Sequence, residues 1–288
     1  MTTARPALDG AVVAQQLAAL EQIVADLDSV AVGLSGGVDS SLLAAVAHRT
    51  LGDRAVAVVA RSPSLPDREL DEALEVAAQV GIRTEVVDTA EVADPRYAAN
   101  PRNRCRFCKQ HQFEALRSVA VHHGLAQLAH GENVDDLDDH RPGRAAAEEY
   151  GVRAPLREAG LGKQAVRALA RHLDLPVWDK PAFACLASRI PHGEQVTPAK
   201  LAQVEQAEQV LYDLGFRAFR VRHHGAVARL ELEPADHPAA LEHAAVIVPA
   251  LRELGFEHVS LDLAGLGATR QGGAGPRGRG LPLVEVRG

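Results

Sequence analysis

The chain has 288 residues, of which 47% are hydrophobic and 24% are charged, and 31 lysines and arginines against 38 aspartates and glutamates give it a net charge of -7. This composition excludes a disordered, a collagen-like and a disulfide-built chain, and the length suffices for two modest domains. A net acidic chain does not hold a long polyanion by overall attraction, so we expect no nucleic-acid partner, whereas a small anionic ligand is compatible with this charge.

The cysteines and the first residues indicate the cellular compartment. The chain contains three cysteines, Cys105, Cys108 and Cys185, which are too few for a secreted disulfide framework of this length. Residues 1–30 lack the basic start and the apolar stretch of a signal peptide. No run approaches the roughly 20 apolar residues of a membrane span. We therefore expect a cytoplasmic protein without a membrane partner.

Strand and helix patterns alternate through the first two thirds of the chain. Short apolar runs predict strands over residues 30–34, 55–60, 84–87 and 127–129, and amphipathic spacing predicts helices over 40–51, 67–80, 107–123 and 163–173. This alternation favours a parallel sheet with helices on both faces, a Rossmann-like α/β fold. The polar, glycine-rich stretch 135–162 predicts loops beyond the carboxyl ends of strands, which hold the ligands in open α/β folds.

A second pattern begins near Pro198. It predicts helices over 198–214 and 239–254 and strands over 218–222, 227–232 and 259–263. We expect a first domain over residues 1–194 and a smaller C-terminal α+β domain over 195–270 that binds substrate and supports a homo-oligomer. The Gly/Arg-rich residues 271–288 are expected to form a flexible tail.

One glycine turn between the first predicted strand and helix suits a phosphate. It consists of Ser35, Gly36, Gly37, Val38, Asp39 and Ser40. The glycines let the main chain approach the ligand, the helix start presents N–H groups, and the serines add hydroxyl donors. Asp39 is suited to hold Mg²⁺ or to cap the helix. Neither the Walker A spacing nor G-x-G-x-x-G is present. The alternative is a turn that merely joins strand to helix.

The motif SGGVDS in this setting resembles the pyrophosphate loop of the N-type ATP pyrophosphatases, which include GMP synthetase, NAD synthetase and the tRNA thiolases. The resemblance covers about the first 190 residues. It implies an adenine nucleotide alpha hydrolase-like fold and the use of ATP. It further implies cleavage between the α and β phosphates, so that a substrate oxygen is adenylated and pyrophosphate leaves.

The spacing of the cysteines allows several interpretations. Cys105 and Cys108 lie at the start of a predicted helix, where they could form a redox pair, half of a metal site or two buried thiols. Cys185 lies in a proline-bounded loop where Arg189 is near enough in sequence to favour a thiolate. With His111 the three cysteines match a closed Cys₃His zinc site, and inert packing is a further alternative.

Seven short segments together resemble the LarE group, the ATP-dependent sulfur transferases that make the nickel-pincer nucleotide cofactor of lactate racemase. The segments are NP at 100–101, RCRFCK at 104–109, GENVDD at 131–136, RPG at 141–143, GVRAPL at 151–156, WDKP at 178–181 and ACLASR at 184–189. In that family the cysteine matching Cys185 delivers the sulfur. Members either sacrifice this cysteine to dehydroalanine or, with a C-x-x-C pair as well, hold a [4Fe-4S] cluster on three cysteines. The resemblance implies the cluster kind for Cys105, Cys108 and Cys185.

The substrate end is predicted on the second domain. Arg220 and Arg222 lie two apart on a predicted strand and so share a face that can meet one anion, although exposure to solvent alone is the alternative. In the resembled family the matching arginines hold the phosphate of a mononucleotide substrate, and Ser188 and Arg189 line the same site. Glu208 is a candidate catalytic acid or base, with a plain surface carboxylate as the alternative. Glu205, three residues earlier on the helix, is a second candidate.

The resemblance implies an ATP- and Mg²⁺-dependent conversion of a pyridinium-3,5-dicarboxylate mononucleotide to its bis-thiocarboxylate, with sulfide or another donor as the sulfur source. Two alternatives stay open: a cluster-dependent tRNA thiolase, which the net charge disfavours, and a zinc-stabilised nucleotide-binding module without catalysis. Residues 262–269 lack the family's usual Arg-Thr/Ser-Gly-Ser continuation. Contacts from the last 25 residues are therefore not predicted.

Overall fold

The computed structural model describes residues 9–137, 143–181 and 184–267. The predicted tail at 271–288 and the first two residues of the RPG segment, 141–142, lie outside this part of the chain. Residue contacts divide the chain into two compact units, Met1–Leu201 and Ala202–Gly288. No helix of the described residues is long and apolar enough to cross a lipid bilayer.

The first unit is built on a parallel sheet of four strands in the order β3-β2-β1-β4. The strands are β1 (Val30–Gly33), β2 (Ala55–Arg61), β3 (Arg83–Asp88) and β4 (Gln127–Ala129). Val30 pairs with Ala55 on one side and with Gln127 on the other. β2 and β3 therefore follow on one side of β1 and β4 lies on its other side, so the direction of the strand order reverses at β1. Open α/β sheets bind ligands at such a switch point, outside the carboxyl ends of the strands.

Helices cover both faces of this sheet, as the strand pattern predicts. They are α1 (Gly10–Ala25), α2 (Val38–Leu51), α3 (Asp67–Val80), α4 (Pro95–Ala98), α5 (Arg104–His123), α6 (Gly143–Glu149), α7 (Pro155–Glu158) and α8 (Lys163–His172). Val30 and Val32 pack into one core with α1, α2, α3 and α8, whereas Ala31 packs into another with α5 and α6. Alternate strand residues point to opposite faces, so the continuous apolar runs follow from burial on both sides.

The second unit is a small α+β structure. Its strands are β5 (Phe219–His224), β6 (Val227–Leu232) and β7 (His258–Leu261), and its helices are α9 (Pro198–Asp213), which begins in the last residues of the first unit, α10 (His237–Glu242) and α11 (Ala244–Glu253). β5 and β6 are antiparallel, and β6 and β7 are parallel. Val221, Leu232 and Leu251 are fully buried in its core.

Several elements differ from the predicted ones. The stretch 135–162, predicted to form loops, contains the helices α6 and α7. The predicted helix over 239–254 is two helices, because His243, at φ -85° and ψ 4°, ends α10 and precedes α11. The pattern of the first 30 residues predicts no element, yet α1 packs Leu17, Leu20 and Val24 into the core of the first unit.

Candidate functional site

The glycine turn follows β1 at the carboxyl edge of the sheet. Gly36 has φ +71°, and a Cβ atom there would lie 3.1 Å from the main-chain oxygen of Glu69 and 3.3 Å from Cβ of Ala73. Glycine is therefore required both by its backbone angle and by the close approach of α3. Gly37 occupies the position before α2 and provides no side-chain cap. The N–H groups at the start of this 14-residue helix thus face the turn as an anion site would require.

The two serines of the turn bond to each other. The Ser35 N–H donates to Oγ of Ser40 at 3.1 Å, and the two hydroxyl oxygens are also 3.1 Å apart. The Ser40 hydroxyl donates to the carbonyl of Gly37 at 3.1 Å. These bonds connect Ser35, Gly37 and Ser40 within the turn.

Asp39 connects this turn to two later segments. Asn133 donates from Nδ2 to Oδ1 of Asp39 at 2.9 Å, and the ammonium of Lys163 forms an ion pair with Oδ2. Lys163 begins α8, and its own N–H donates to Asp135 Oδ2 at 2.7 Å. The carboxylate predicted to hold Mg²⁺ is therefore neutralised by a lysine in this structure. Hard cations bind carboxylate oxygens, so Asp39 suits the ion chemically.

The segment after β4 lies directly on the start of α2. A Cβ atom on Gly131 would come within 2.7 Å of the Ser40 nitrogen and 2.9 Å of the Asp39 carbonyl carbon. Only glycine permits this approach. The next residue, Glu132, is buried and accepts bonds from Arg157 Nη1 at 2.6 Å and Arg144 Nε at 3.3 Å. These contacts hold the loop that carries Asn133.

Lys180 contacts the turn from another loop. Its ammonium donates to the carbonyl of Gly36 at 3.2 Å and pairs with Glu69 at 2.8 Å and with Glu72 at 2.5 Å. The chain has four lysines, and Lys163 and Lys180 both reach the turn. Hydrophobic periodicity did not identify Lys163 and Lys180 as candidate site residues. The scarcity of lysine in a chain that otherwise uses arginine is the signal that could have identified them.

Cys105 and Cys108 lie in the first two turns of α5, and Cys185 lies directly before the 3₁₀ turn Leu186–Arg189. Cys105 is exposed, whereas Cys108 and Cys185 are partly buried. Burial raises the pKa of the Cys108 thiol, and the nearby thiol of Cys185, the carboxylate of Glu91 and the thiol of Cys105 raise it further. Arg104, which precedes Cys105 in the chain, contacts the Cys185 sulfur, so the two cysteine segments adjoin in the first unit.

This donor set fits the predicted cluster in kind. Three thiols on two adjoining segments match the ligand type of a [4Fe-4S] cluster with one open iron. Within residues 9–137, 143–181 and 184–267, no group of three His, Cys, Asp or Glu side chains is arranged so that it could hold a metal ion. His111, the fourth ligand of the zinc alternative, directs Nε2 to Asp94 Oδ2 at 3.2 Å. The Arg96 guanidinium holds the pKa of Asp94 well below its usual range.

The arginine that contacts the Cys185 sulfur is Arg104. Its Nη2 lies 3.9 Å from Sγ, and it is a buried residue at the start of α5. Arg189, which the sequence places near the thiol, is also buried and donates to the carbonyl of Ala184 at 2.6 Å and to the Ser188 hydroxyl at 2.9 Å. Arg189 thus stabilises the main chain of the cysteine loop. The predicted role of Ser188 and Arg189 in phosphate binding stays a prediction.

The arginines predicted to bind a phosphate lie on β5 of the second unit. Arg220 and Arg222 alternate with buried Phe219 and Val221 and therefore share the face opposite the core. Arg222 donates from Nε and Nη2 to the two carboxylate oxygens of Glu231, at 2.9 and 3.0 Å.

Glu231 is itself fully buried and also accepts a 2.8 Å bond from Arg229. This face of the second unit thus carries a third arginine that the sequence patterns did not single out.

Glu208, the candidate acid or base, is a buried residue of α9. Its Oε1 accepts a 3.0 Å bond from the N–H of Val221. This contact joins α9 to β5 and excludes the plain surface carboxylate. Its catalytic role stays a prediction.

Comparison with known proteins is in line with this geometry. The model of the NAD synthase family matches residues 12–114, which include the turn and the C-x-x-C pair. The chain is 44% identical to an uncharacterized protein of Synechocystis sp. over 248 residues, 85% of this chain and 92% of that protein. A GMP synthase of Chlamydia caviae is 36% identical over 179 residues, 56% of this chain and 35% of that protein.

A further relative covers almost the whole chain. It is the pyridinium-3,5-bisthiocarboxylic acid mononucleotide synthase of Lactiplantibacillus plantarum, 36% identical over 261 residues, which are 90% of this chain and 95% of the relative. That identity and coverage, together with the turn after β1 and the segments around the three cysteines, lead to one assignment. The chain belongs to the LarE family of ATP-dependent sulfur transferases.

Proposed function

We propose that this enzyme inserts sulfur into a pyridinium-3,5-dicarboxylate mononucleotide and converts it, in two rounds, to the bis-thiocarboxylate. The observation that carries the proposal is the turn after β1, with Asp39 and Ser40 in the first turn of α2, in the same unit as the two cysteine segments that meet at Arg104. The product is the class of compound that the Lactiplantibacillus plantarum relative is named for.

The first step activates the substrate with ATP. Activation is needed because a free carboxylate is a poor electrophile. A carboxylate oxygen of the substrate attacks the α-phosphorus of ATP, pyrophosphate leaves and an acyl-adenylate forms. The helix start at Gly37 and the hydroxyls of Ser35 and Ser40 suit the polyphosphate. Mg²⁺ would be held by Asp39, and the Lys163 ammonium would then be available to a phosphate oxygen.

The second step transfers sulfur. A sulfur nucleophile attacks the acyl carbon, and AMP leaves with one oxygen of the original carboxylate. We assign the delivery site to Cys185, with Cys105 and Cys108 as further ligands of a [4Fe-4S] cluster. Such a cluster would supply a sulfide at the iron that no cysteine binds, which permits repeated delivery.

The substrate would be oriented by its phosphate. We propose phosphate-binding roles for Arg220 and Arg222 and for Ser188 and Arg189, and a role as acid or base for Glu208. Glu231 is shared by Arg222 of β5 and Arg229 of β6, so one carboxylate faces two guanidinium groups and this face keeps a net positive charge that suits a phosphate. The proposal includes a cytoplasmic homo-oligomer that is recharged by sulfide or another sulfur donor.

Anaerobic purification of the wild type and of a C105S/C108S double variant tests the assignment of the cysteines. We expect a brown wild-type protein with iron and acid-labile sulfide, and a colourless variant that still catalyses ATP–pyrophosphate exchange in the presence of substrate. Mass spectrometry should detect a thiolated product only with the wild type. C185S should lose the product as well.

The outcomes separate the alternatives. Product from the double variant would contradict the cluster and favour sacrifice of Cys185. A colourless wild type that contains zinc and makes no AMP would favour a nucleotide-binding module. Binding of tRNA at physiological ionic strength, with thiolation of the tRNA, would favour the tRNA thiolase.

A further inference from the structure

Arg104 is a buried cation between the two cysteine segments. It is 4% exposed, Nη1 donates to Oδ1 of Asn100 at 2.5 Å and to the carbonyl of Ala187 at 2.8 Å, and Nη2 faces Sγ of Cys185 at 3.9 Å. The guanidinium carbon lies 5.8 Å from the ring centroid of Tyr97, which is fully buried. Because arginine stays protonated, a full positive charge is held out of water beside the Cys185 sulfur.

Asn100 acts on the same loop. It adopts φ 53°, a left-handed conformation that asparagine tolerates, and its Nδ2 donates to the carbonyls of Pro191 at 2.8 Å and Ile190 at 3.2 Å. With Arg104 it therefore bonds three carbonyls of the residues that follow Cys185. We call this pair the Asn100–Arg104 clamp. Since Arg104 is the first residue of α5, the clamp joins the loop of Cys185 to the helix of Cys105 and Cys108.

One hydrogen-bond acceptor of the Arg104 guanidinium can carry a negative charge that balances it. Its hydrogen-bond acceptors in the described part of the chain are an amide oxygen, a main-chain carbonyl and the Cys185 sulfur. Of these three atoms only the sulfur takes a negative charge, which it does when it binds iron. A buried charge is costly unless an anion balances it, so the site is arranged for a negative sulfur.

We propose that Arg104 is a positioning residue for sulfur delivery: through the Asn100–Arg104 clamp it fixes the Cys185 loop against α5, and it holds a positive charge beside the Cys185 sulfur. The part of the proposal that concerns sulfur rests on the proposed function. Hydrogen bonds to cluster sulfurs influence the reduction potential of a cluster, so the guanidinium would act on the loaded site as well as on the empty one.

Hydrogen exchange of the cluster-free protein tests the clamp without any catalytic assay. The variants are Arg104→Gln, which removes the charge, Arg104→Lys, which keeps it but cannot make the forked contacts, and Arg106→Gln as the matched control. Arg106 lies on the same turn, is exposed and reaches Glu149 at 3.7 Å.

We expect at least tenfold faster exchange at the amides of residues 186–196 in R104Q, a smaller rise in R104K and no change in R106Q. Exchange in α2 reports whether the fold is intact. Unchanged exchange of the loop in a folded R104Q would overturn the clamp.

The amount of thiolated product per adenylate formed tests the role of Arg104 in sulfur delivery. With reconstituted protein, R104Q should keep the rate of ATP–pyrophosphate exchange and the KM for ATP, while the yield of thiolated product per adenylate formed falls at least tenfold. R104K should recover part of that yield, and R106Q should match the wild type. An unchanged yield in R104Q would refute the positioning role.

If the wild type makes no thiolated product, the proposed function is refuted. The hydrogen-exchange experiment would still show whether the Asn100–Arg104 clamp holds the Cys185 loop.

Discussion

Asn133 donates a 2.9 Å hydrogen bond to Asp39, a residue 94 positions earlier in the chain. The bond joins the loop after β4 to the helix that follows β1, so it spans the point where the strand order reverses. It is made possible by Gly131, which lets the two segments approach. The candidate ATP site thus depends on two strands that are distant in sequence and adjacent in the sheet.

The carboxylate of Asp39 is the first target for mutation. Asp39→Asn keeps the volume but removes the charge that pairs with Lys163 and that would hold Mg²⁺. We expect ATP–pyrophosphate exchange to fall by about 100-fold, the loss typical of an electrostatic group at a phosphoryl site. Asp53→Asn, on an exposed turn after α2, is the matched control and should leave the rate unchanged. A wild-type rate of ATP–pyrophosphate exchange in D39N would contradict the proposed role of Asp39 in binding Mg²⁺ and ATP.

Gly131→Ala tests the steric link between the two loops. The added methyl group would lie 2.7 Å from a main-chain nitrogen of α2, so a segment must shift. We expect a loss of about 1–3 kcal/mol in the free energy of unfolding, as for overpacking, together with a raised KM for ATP. Urea unfolding measures the first quantity. Gly10→Ala, where no heavy atom lies within 4 Å of the new Cβ, should not destabilise the protein.

His130 makes stability depend on pH. Burial lowers the pKa of this imidazole to about 3, and the charges of Lys109 and Arg157 contribute. Because the folded state binds the proton less readily than the unfolded state, whose histidine pKa is about 6.5, folding loses stability as the pH falls below that value. Between pH 7 and pH 5 this amounts to about 2 kcal/mol.

The variant His130→Gln isolates this contribution. Its free energy of unfolding should fall less than that of the wild type between pH 7 and pH 5, by about the same 2 kcal/mol. Urea titrations at both pH values measure the difference. Identical pH dependence of the two proteins would show that His130 is not held neutral in the folded state.

Glu231 is expected to organise the cationic face of the second unit. Glu231→Gln would leave Arg222 and Arg229 close together without the buried carboxylate that they share. We expect a loss of about 2 kcal/mol in the free energy of unfolding, below the value for fully buried pairs because both arginines are partly exposed. Glu233→Gln, an exposed neighbour, is the control. Equal stability of E231Q and E233Q would contradict the role of Glu231.

Local patterns were sufficient for the strand, turn and helix around Gly36, because apolar runs, glycines and helical spacing report on burial within a few residues. The alternation of elements also predicted the parallel sheet with helices on both faces. The break at His243 escaped the pattern, since the apolar spacing continues through both helices.

Contacts across long sequence distances were beyond the same reasoning. Lys163 meets Asp39 over 124 residues, and Arg104 meets Cys185 over 81. No periodicity encodes either contact, because the order of the strands determines which loops meet. The sequence pointed to Arg189 for the thiol because it is near in the chain, whereas the sulfur contact comes from α5.

One measurement tests the central claim of ATP-driven sulfur transfer most directly. Anaerobically reconstituted protein is incubated with ATP, Mg²⁺, sulfide and the pyridinium-3,5-dicarboxylate mononucleotide, and AMP and products are quantified by mass spectrometry. We predict one AMP for each oxygen replaced by sulfur, with more thiolated product than protein. Formation of neither AMP nor a thiolated mononucleotide by protein that retains its iron would contradict the account.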